Sequence, residues 1–391
     1  MSKLRFVTLI LFWLVPYFIS ATPSSNIVLG GERLTQYLPL LADKKVGLVV
    51  NQTSMVSKRH LLDVLIVNDI EVKVLFAPEH GVRGNAGAGE HIKNGTDIKT
   101  GIAIQSIYGE NKTPPEALMQ SLDVIVFDIQ DVGARFYTYI SSMHYMMEAA
   151  AKHGVHFIVL DRPNPNGMFI DGPVLDLRFQ SFVGMHPIPV LHGLTVGELA
   201  MMIKGEGWIQ NAQNLDLTIV KTQGYQKHMS YSLPISPSPN LPNDVAIRLY
   251  PSLCFFEASA MSLGRGTDFP FQQIGHHLIK LGEHTFRPES RPYAAPSPKL
   301  EGNILYGLDL REDTTKGLSL SILLNAFAQF SKNDERFFTA PNFMDKLAGT
   351  DKLRLAIEAH HTEAEIRQTW QAELLTYKQL IRPYLLYPND F

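Results

Sequence analysis

Five short, largely apolar runs, separated by helix-patterned segments, constrain this 391-residue chain more than any other feature. They span 46–50, 72–76, 102–107, 123–128 and 156–161. A strand apolar at every position is covered on both faces, which is the situation of a parallel sheet between helical layers. Residues 60–67 and 137–153 carry helical periodicity. In the second of these Ile140, Met143, Met147 and Ala150 share one face, and Gly154 supplies the stop. Pro114-Pro115-Glu116 suits the first turn of another helix. The segment 194–207 starts one more, with Thr195 as N-cap and Glu198 at the capping-box spacing. The pattern predicts an α/β protein built on a Rossmann-like, doubly wound parallel sheet.

The character changes over 227–298, which is rich in proline and poor in long periodic runs. Such stretches are usually loops, and long ones are often functional. Beyond it, 302–310 predicts a strand and 318–330, 343–360 and 362–386 predict helices, with caps at Ser319 and Thr362. The expected organisation is a signal peptide (1–21), a Rossmann-like catalytic domain (22–225) and a smaller C-terminal α/β domain (226–391). The latter carries the proline-rich segment.

Lys3 and Arg5 precede an apolar run over 6–19, and Ser20-Ala21-Thr22 offers small residues for cleavage. This is the pattern of a secretory signal, shorter than the ~20 residues of a membrane span. No stable membrane insertion is expected after its removal. A net charge of −3 leaves no basic excess for neutralising phosphates, which argues against a nucleic-acid partner. Cys254 is the only cysteine, so no intramolecular disulfide can form. Between Leu253 and Phe255-Phe256 it reads as a buried, inert thiol.

In open parallel sheets, ligands bind beyond the carboxyl ends of the strands. Four such ends are densely polar here: Asn51-Gln52-Thr53, Pro78-Glu79-His80-Gly81-Val82-Arg83-Gly84, the segment 128–137 and the segment 161–167. Helix N-caps alone explain many polar strand ends, but four together point to one site. Carboxylates among arginines, amides and tyrosines suit a hydroxyl-rich ligand and acid–base work on it. Glu79, at the end of a hydrophobic strand, is the natural general acid, because partial desolvation favours its protonated form. Pairing with Arg83, or capping of the next element, is an equally available role. His80, His91, Asp128, Asp131 and His192 lack the spacing of a zinc site, and no metal or other cofactor is expected. The glycines of 84–89 lack the G-x-G-x-x-G order, and neither a P-loop nor a G-x-S-x-G elbow is present.

Taken in order, these motifs resemble those of a bacterial family once known only as a conserved domain of unknown function and now represented by exo-β-N-acetylmuramidases. The matching residues are Asn51-Gln52-Thr53, Pro78-Glu79-His80-Gly81 with Arg83-Gly84, and Tyr108-Gly109. Asp128-Ile129-Gln130-Asp131-Val132-Gly133 with Arg135-Phe136-Tyr137-Thr138-Tyr139 also match, as does Asp161-Arg162-Pro163-Asn164-Pro165. Further along come His192-Gly193, Ser238-Pro239-Asn240 and Gly264-Arg265-Gly266-Thr267. Asn166-Gly167, Leu194, Ala258 and Ala260 depart from the family pattern.

The resemblance implies a cleft between the Rossmann-like domain and the smaller C-terminal one, with the proline-rich loops facing it. It also implies release of N-acetylmuramic acid from the non-reducing ends of peptidoglycan fragments, with Glu79 catalytic and muropeptides or disaccharides as partners. Asp128 or Asp131 is expected as the second catalytic carboxylate, ahead of Glu257. Substrate contacts are expected from Asn51, His80, Arg83, Arg135 and Tyr137. They are expected also from Asp161, Arg162, Asn164 and His192, and from Asn240, Glu257 and Arg265. Arg83, Arg135 and Arg265 are the candidates for reading the lactyl carboxylate. An exported member would work in the periplasm. The alternative is a periplasmic protein that binds cell-wall sugars without cleaving them, and turnover separates the two.

Overall fold

The computed structural model describes residues 27–83 and 93–389; the expected signal peptide, the glycines of 84–89 and His91 lie outside them. The main sheet has seven strands: β1 (Val46–Val50), β2 (Val72–Ala77), β3 (Gly95–Thr96), β4 (Ala103–Ser106), β5 (Val124–Asp128), β6 (His156–Leu160) and β7 (Leu217–Val220). Their order is β7-β6-β5-β1-β2-β4-β3. Every neighbouring pair is parallel except β3 and β4. The edge strands are short, β3 exposed and β7 only partly buried, which is why no continuous apolar run marks them. The chain leaves β1 toward β2 on one side and later returns to β5 on the other. That reversal puts a topological switch point beyond the carboxyl ends of β1 and β5.

Burial on both faces follows directly from the strand composition. Leu48, Leu75, Val126 and Ile158 pack on one face, beside Tyr37 and Leu41 of α1 (Leu34–Leu41) and Leu61 and Leu65 of α2 (Leu61–Val67). Val49, Phe76, Phe127 and Phe157 pack on the other, against α4 (Tyr139–His153) and α5 (Val196–Gly205). The proline-led turn of helix is α3 (Glu116–Met119). The predicted stops and caps are formed as read: Gly154 ends α4 at φ 67°, and Thr195 and Glu198 close a reciprocal box on α5.

The second of these cores does not end with the first half of the chain. It continues through α6 (Asp244–Leu253) into the C-terminal helices. A three-stranded antiparallel sheet of β8 (Gln273–His276), β9 (His284–Phe286) and β10 (Leu305–Asp309), in the order β8-β10-β9, packs there. Around it stand α7 (Ser321–Lys332), α8 (Pro341–Ala348), α9 (Lys352–Glu358), α10 (Glu363–Gln368) and α11 (Gln371–Leu380).

Two of the predicted C-terminal helices are each broken in two. Gly349, at φ 71°, ends α8, and a Cβ there would lie 2.7 Å from the Arg135 guanidinium. The break between α10 and α11 lets Trp370 bury and donate to Asp171 at 3.3 Å. Thr362 caps α10 with Glu365 as predicted, whereas Leu320, not Ser319, occupies the N-cap of α7. Among the described residues no helix is long and apolar enough to cross a membrane.

Candidate active site

β2 delivers Glu79. Immediately past the strand, the amide of Gly81 donates to the Pro78 carbonyl at 3.0 Å, closing a tight turn. His80 sits at φ 70° within it, the sign a type II turn requires at its third position. A histidine in the left-handed region is uncommon, and such backbone clusters at functional sites. The turn aims the half-buried Glu79 into a cavity of about 590 Å³ between the sheet's carboxyl edge and the C-terminal half.

Two hydroxyls hold the Glu79 carboxyl. Tyr108, just past β4, donates to Oε1 at 2.9 Å, and Thr138, just before α4, donates to Oε2 at 2.8 Å. Burial first, and then the neighbouring carboxylate, push the Tyr108 hydroxyl up, so it stays a neutral donor. A hydroxyl can both donate and accept, so each clamp accommodates either protonation state of the acid. Tyr139 adds a longer bond, 3.4 Å, to the Glu79 carbonyl.

Facing this acid across the cavity wall is the proline-rich half. Glu257 and Arg265 both line the cavity, and the guanidinium reaches Glu257 Oε1 through Nη2 at 2.6 Å and Nε at 3.1 Å. Desolvation pulls the Arg265 guanidinium down, but the Glu257 pair outweighs it and leaves a firmly held cation. The Phe271 ring lies 5.0 Å beneath it. Lys299 donates to the Glu257 and Ser259 carbonyls, each at 2.7 Å, and fixes this segment. Asn240 also lines the cavity; its Nδ2 donates to the Ala294 carbonyl at 2.7 Å, which sets the orientation of the amide. Glu79 and Glu257 are the only carboxylates on this wall among the described residues.

A 37% identical relative is the peptidoglycan β-N-acetylmuramidase NamZ of Bacillus subtilis (strain 168), matched over 380 residues, 90% of this chain and 89% of that protein. Residues 46–245 match the N-terminal model of the exo-β-N-acetylmuramidase NamZ, and 248–387 match its C-terminal model. The chain belongs to the NamZ family. Two solved DUF1343 family proteins of Bacteroides fragilis NCTC 9343 share its fold. One superposes at a TM-score of 0.83 with 38% identity, covering 94% of this chain and 100% of that one. The other gives 0.80 with 28% identity, covering 93% and 100%.

Of the residues expected from sequence, six line the cavity of this NamZ-family chain: Glu79, His80, Tyr137, Asn240, Glu257 and Arg265. The others are engaged elsewhere. Asp128, the expected second carboxylate, is fully buried and held by Arg162 at 2.6 and 3.0 Å, so neither partner faces the cavity. Asp161 binds the Gly197 amide, Thr195 and the Tyr387 hydroxyl, tying α5 and the C-terminal tail to β6. Asn164 bridges the Leu194 carbonyl and the Asn166 amide. A Cβ on Gly133 would strike that same Asn164 side chain at 2.0 Å, so glycine is required there.

Arg135 is likewise wholly buried. It donates to the carbonyls of Pro173, Ile188 and Leu347, pinning α8 to a two-stranded ribbon of 170–174 and 189–192. His192 ends that ribbon, its Nδ1 accepting from the Leu194 amide, and burial pushes its imidazole down to about 3. Asn51 accepts from the Thr53 amide and hydroxyl beneath the site. Arg83 forks onto Asp97 at 2.9 and 3.0 Å and lines a separate surface depression, so it does not pair with Glu79. What sequence reasoning left unassigned are the two clamps, Tyr108 and Thr138; both stood in recognised motifs, but nothing local linked them to Glu79. No three His, Cys, Asp or Glu side chains converge as a metal site needs, among the described residues.

Asp131, the other expected carboxylate, is buried behind the cavity wall with Oδ1 accepting from the Gly133 amide at 2.7 Å and Oδ2 unpartnered. Burial raises its carboxyl to about 7, with the amide bond opposing. The folded state therefore binds a proton that the unfolded chain releases near pH 4. The resulting stabilisation is full below about pH 4 and is lost as pH rises through about 7. Asp131→Asn removes this dependence. Its Tm gain over wild type should be larger at pH 8 than at pH 5 in thermal melts, and a difference independent of pH would contradict the assignment.

Proposed function

We propose that this chain is an exo-acting glycoside hydrolase that releases N-acetylmuramic acid from the non-reducing ends of peptidoglycan fragments, with Glu79 as general acid. The observation that carries this reading is the Glu79 carboxyl, fixed by Tyr108 and Thr138 inside a cavity large enough for a hexosamine. In the bond-breaking step the Glu79 proton passes to the glycosidic oxygen as the C1–O bond opens, and the electron pair stays on the departing sugar. Water then completes the hydrolysis at the anomeric carbon. Glu257 replaces Asp128 and Asp131 as the second carboxylate, since it shares the cavity and the Arg265 fork uses only its Oε1.

Arg265 is the lactyl-carboxylate reader in this scheme, because of the three arginines it alone lines the cavity, while Arg83 and Arg135 are engaged outside it with Asp97 and with backbone carbonyls. A planar fork recognises a carboxylate in a way that a lysine point charge does not. Arg265→Lys should raise KM about tenfold for a muramyl substrate and far less for the matching glucosaminyl one; equal changes in steady-state assays would remove the role.

The direct test is release of N-acetylmuramic acid from MurNAc-β-1,4-GlcNAc, with and without EDTA. It should be run on purified protein and on the periplasmic fraction, to which the leader of 1–21 would deliver the chain. Saturable binding of the disaccharide with no sugar released would instead make this a cell-wall sugar-binding protein.

A further inference from the structure

One wall of the cavity is aromatic and has no part in the steps above. Phe182 lines it beside Tyr108, edge-on with 5.9 Å between ring centroids. Tyr145 lies nearly parallel to Phe182 at 6.3 Å, and the Lys112 ammonium is 5.4 Å from its centroid. The Phe182 carbonyl accepts from Ser141 in the first turn of α4 at 2.7 Å, so backbone and ring are both positioned before any ligand arrives.

These four side chains are half-buried, whereas Tyr250, Cys254 and Phe271, which also line the cavity, are buried. We take the buried residues as the cavity's closed end and the half-buried ones as its rim, to which Tyr108 ties Glu79. A closed end accommodates a terminal ring, as an exo-acting enzyme needs. The acid protonates the oxygen on that ring's outward side, so the sugar that departs must lie at the rim.

We propose that Phe182 is the platform for the departing hexosamine, packing against the apolar C–H face of its pyranose ring, with Lys112 offering a donor to its polar edge. A preset aromatic surface beside a few polar groups is the usual make-up of a site that binds an amphipathic ring. Lys112 is a flexible side chain, which an arriving sugar can displace from the ring. The inference rests on the muramidase reading of the same cavity.

The experiment compares two substrates of the full mature chain: MurNAc-β-1,4-GlcNAc, whose leaving group reaches Phe182, and the β-fluoride of N-acetylmuramic acid, whose leaving atom is too small to do so. Phe182→Ala should raise KM for the disaccharide about fivefold to tenfold and affect the fluoride much less. Phe182→Leu keeps the apolar bulk that supports Tyr108 but lacks the flat ring, and should show the same split; Phe182→Tyr should restore the disaccharide KM. Equal losses on the two substrates, or none on the disaccharide, would overturn the proposal. Wild-type protein that hydrolyses the fluoride but leaves the disaccharide intact would overturn the muramidase reading itself, and this inference with it.

Discussion

Glu79→Gln is expected to lower kcat on MurNAc-β-1,4-GlcNAc by about 10²- to 10⁴-fold, the range over which a positioned general acid acts. The substitution is nearly isosteric. Tyr108 can still donate to the remaining carbonyl oxygen, while the Thr138 hydroxyl rotates to accept from the new amide. The fold should therefore survive with little change in Tm, and disaccharide binding should persist, so the loss falls on the chemical step. What the glutamine cannot do is give up a proton to the leaving oxygen. Turnover close to wild type in this variant, measured as free N-acetylmuramic acid, would remove Glu79 from the acid role and shift it to Glu257. Loss of binding together with turnover would make Glu79 a ligand contact instead.

The largest stability effect is expected at the other carboxylate that sequence favoured. Asp128 and Arg162 are 0% and 3% exposed and share two short bonds. Removing one partner of such a pair leaves a buried, uncompensated charge, which typically costs about 3–5 kcal/mol. Arg162→Ala should accordingly lower the Tm by on the order of 10 °C, and the double variant Asp128→Leu/Arg162→Met should recover much of that loss because no charge is stranded. Asp128→Asn should lose stability while retaining kcat per folded molecule. If it instead folds well and is inactive, Asp128 belongs to the chemistry after all. Thermal melts paired with active-site-normalised kinetics separate these outcomes.

Asp128 and Glu79 also show where local sequence stops being informative. Both are acids at the carboxyl end of a hydrophobic parallel strand, and nothing within ten residues of either distinguishes a catalytic group from a structural one. The distinction comes from what lies opposite. Arg162, at the end of β6, reaches Asp128 across the sheet and neutralises it away from solvent. Glu79 accepts from the hydroxyls of Tyr108 and Thr138, which orient a carboxyl without cancelling its charge. Asp161, Asn164 and Arg135 follow Asp128: their polar atoms are used by the amides and carbonyls of loops that cross the top of the sheet. A doubly wound fold needs such stitching at the same strand ends where it places ligands, so composition alone mixes the two populations.

By itself the sequence determined the parallel sheet, because largely apolar strands alternating with helical segments are satisfied between two helical layers. It determined the α4 stop at Gly154, the α5 capping box and the Thr362 cap of α10, which depend on residues close together in the chain. It also determined the turn that carries Glu79, through the residues that directly follow β2. Only the tertiary structure decided which carboxylates and which arginine line the cavity with Glu79, and where the C-terminal helices break. Each of those depends on partners far away in sequence: Glu257 and Arg265 line the same cavity as Glu79, Arg135 and Gly349 fit against each other, and Trp370 reaches Asp171. Side-chain direction and burial at such positions are properties of packing between distant segments, and no spacing along the chain encodes them.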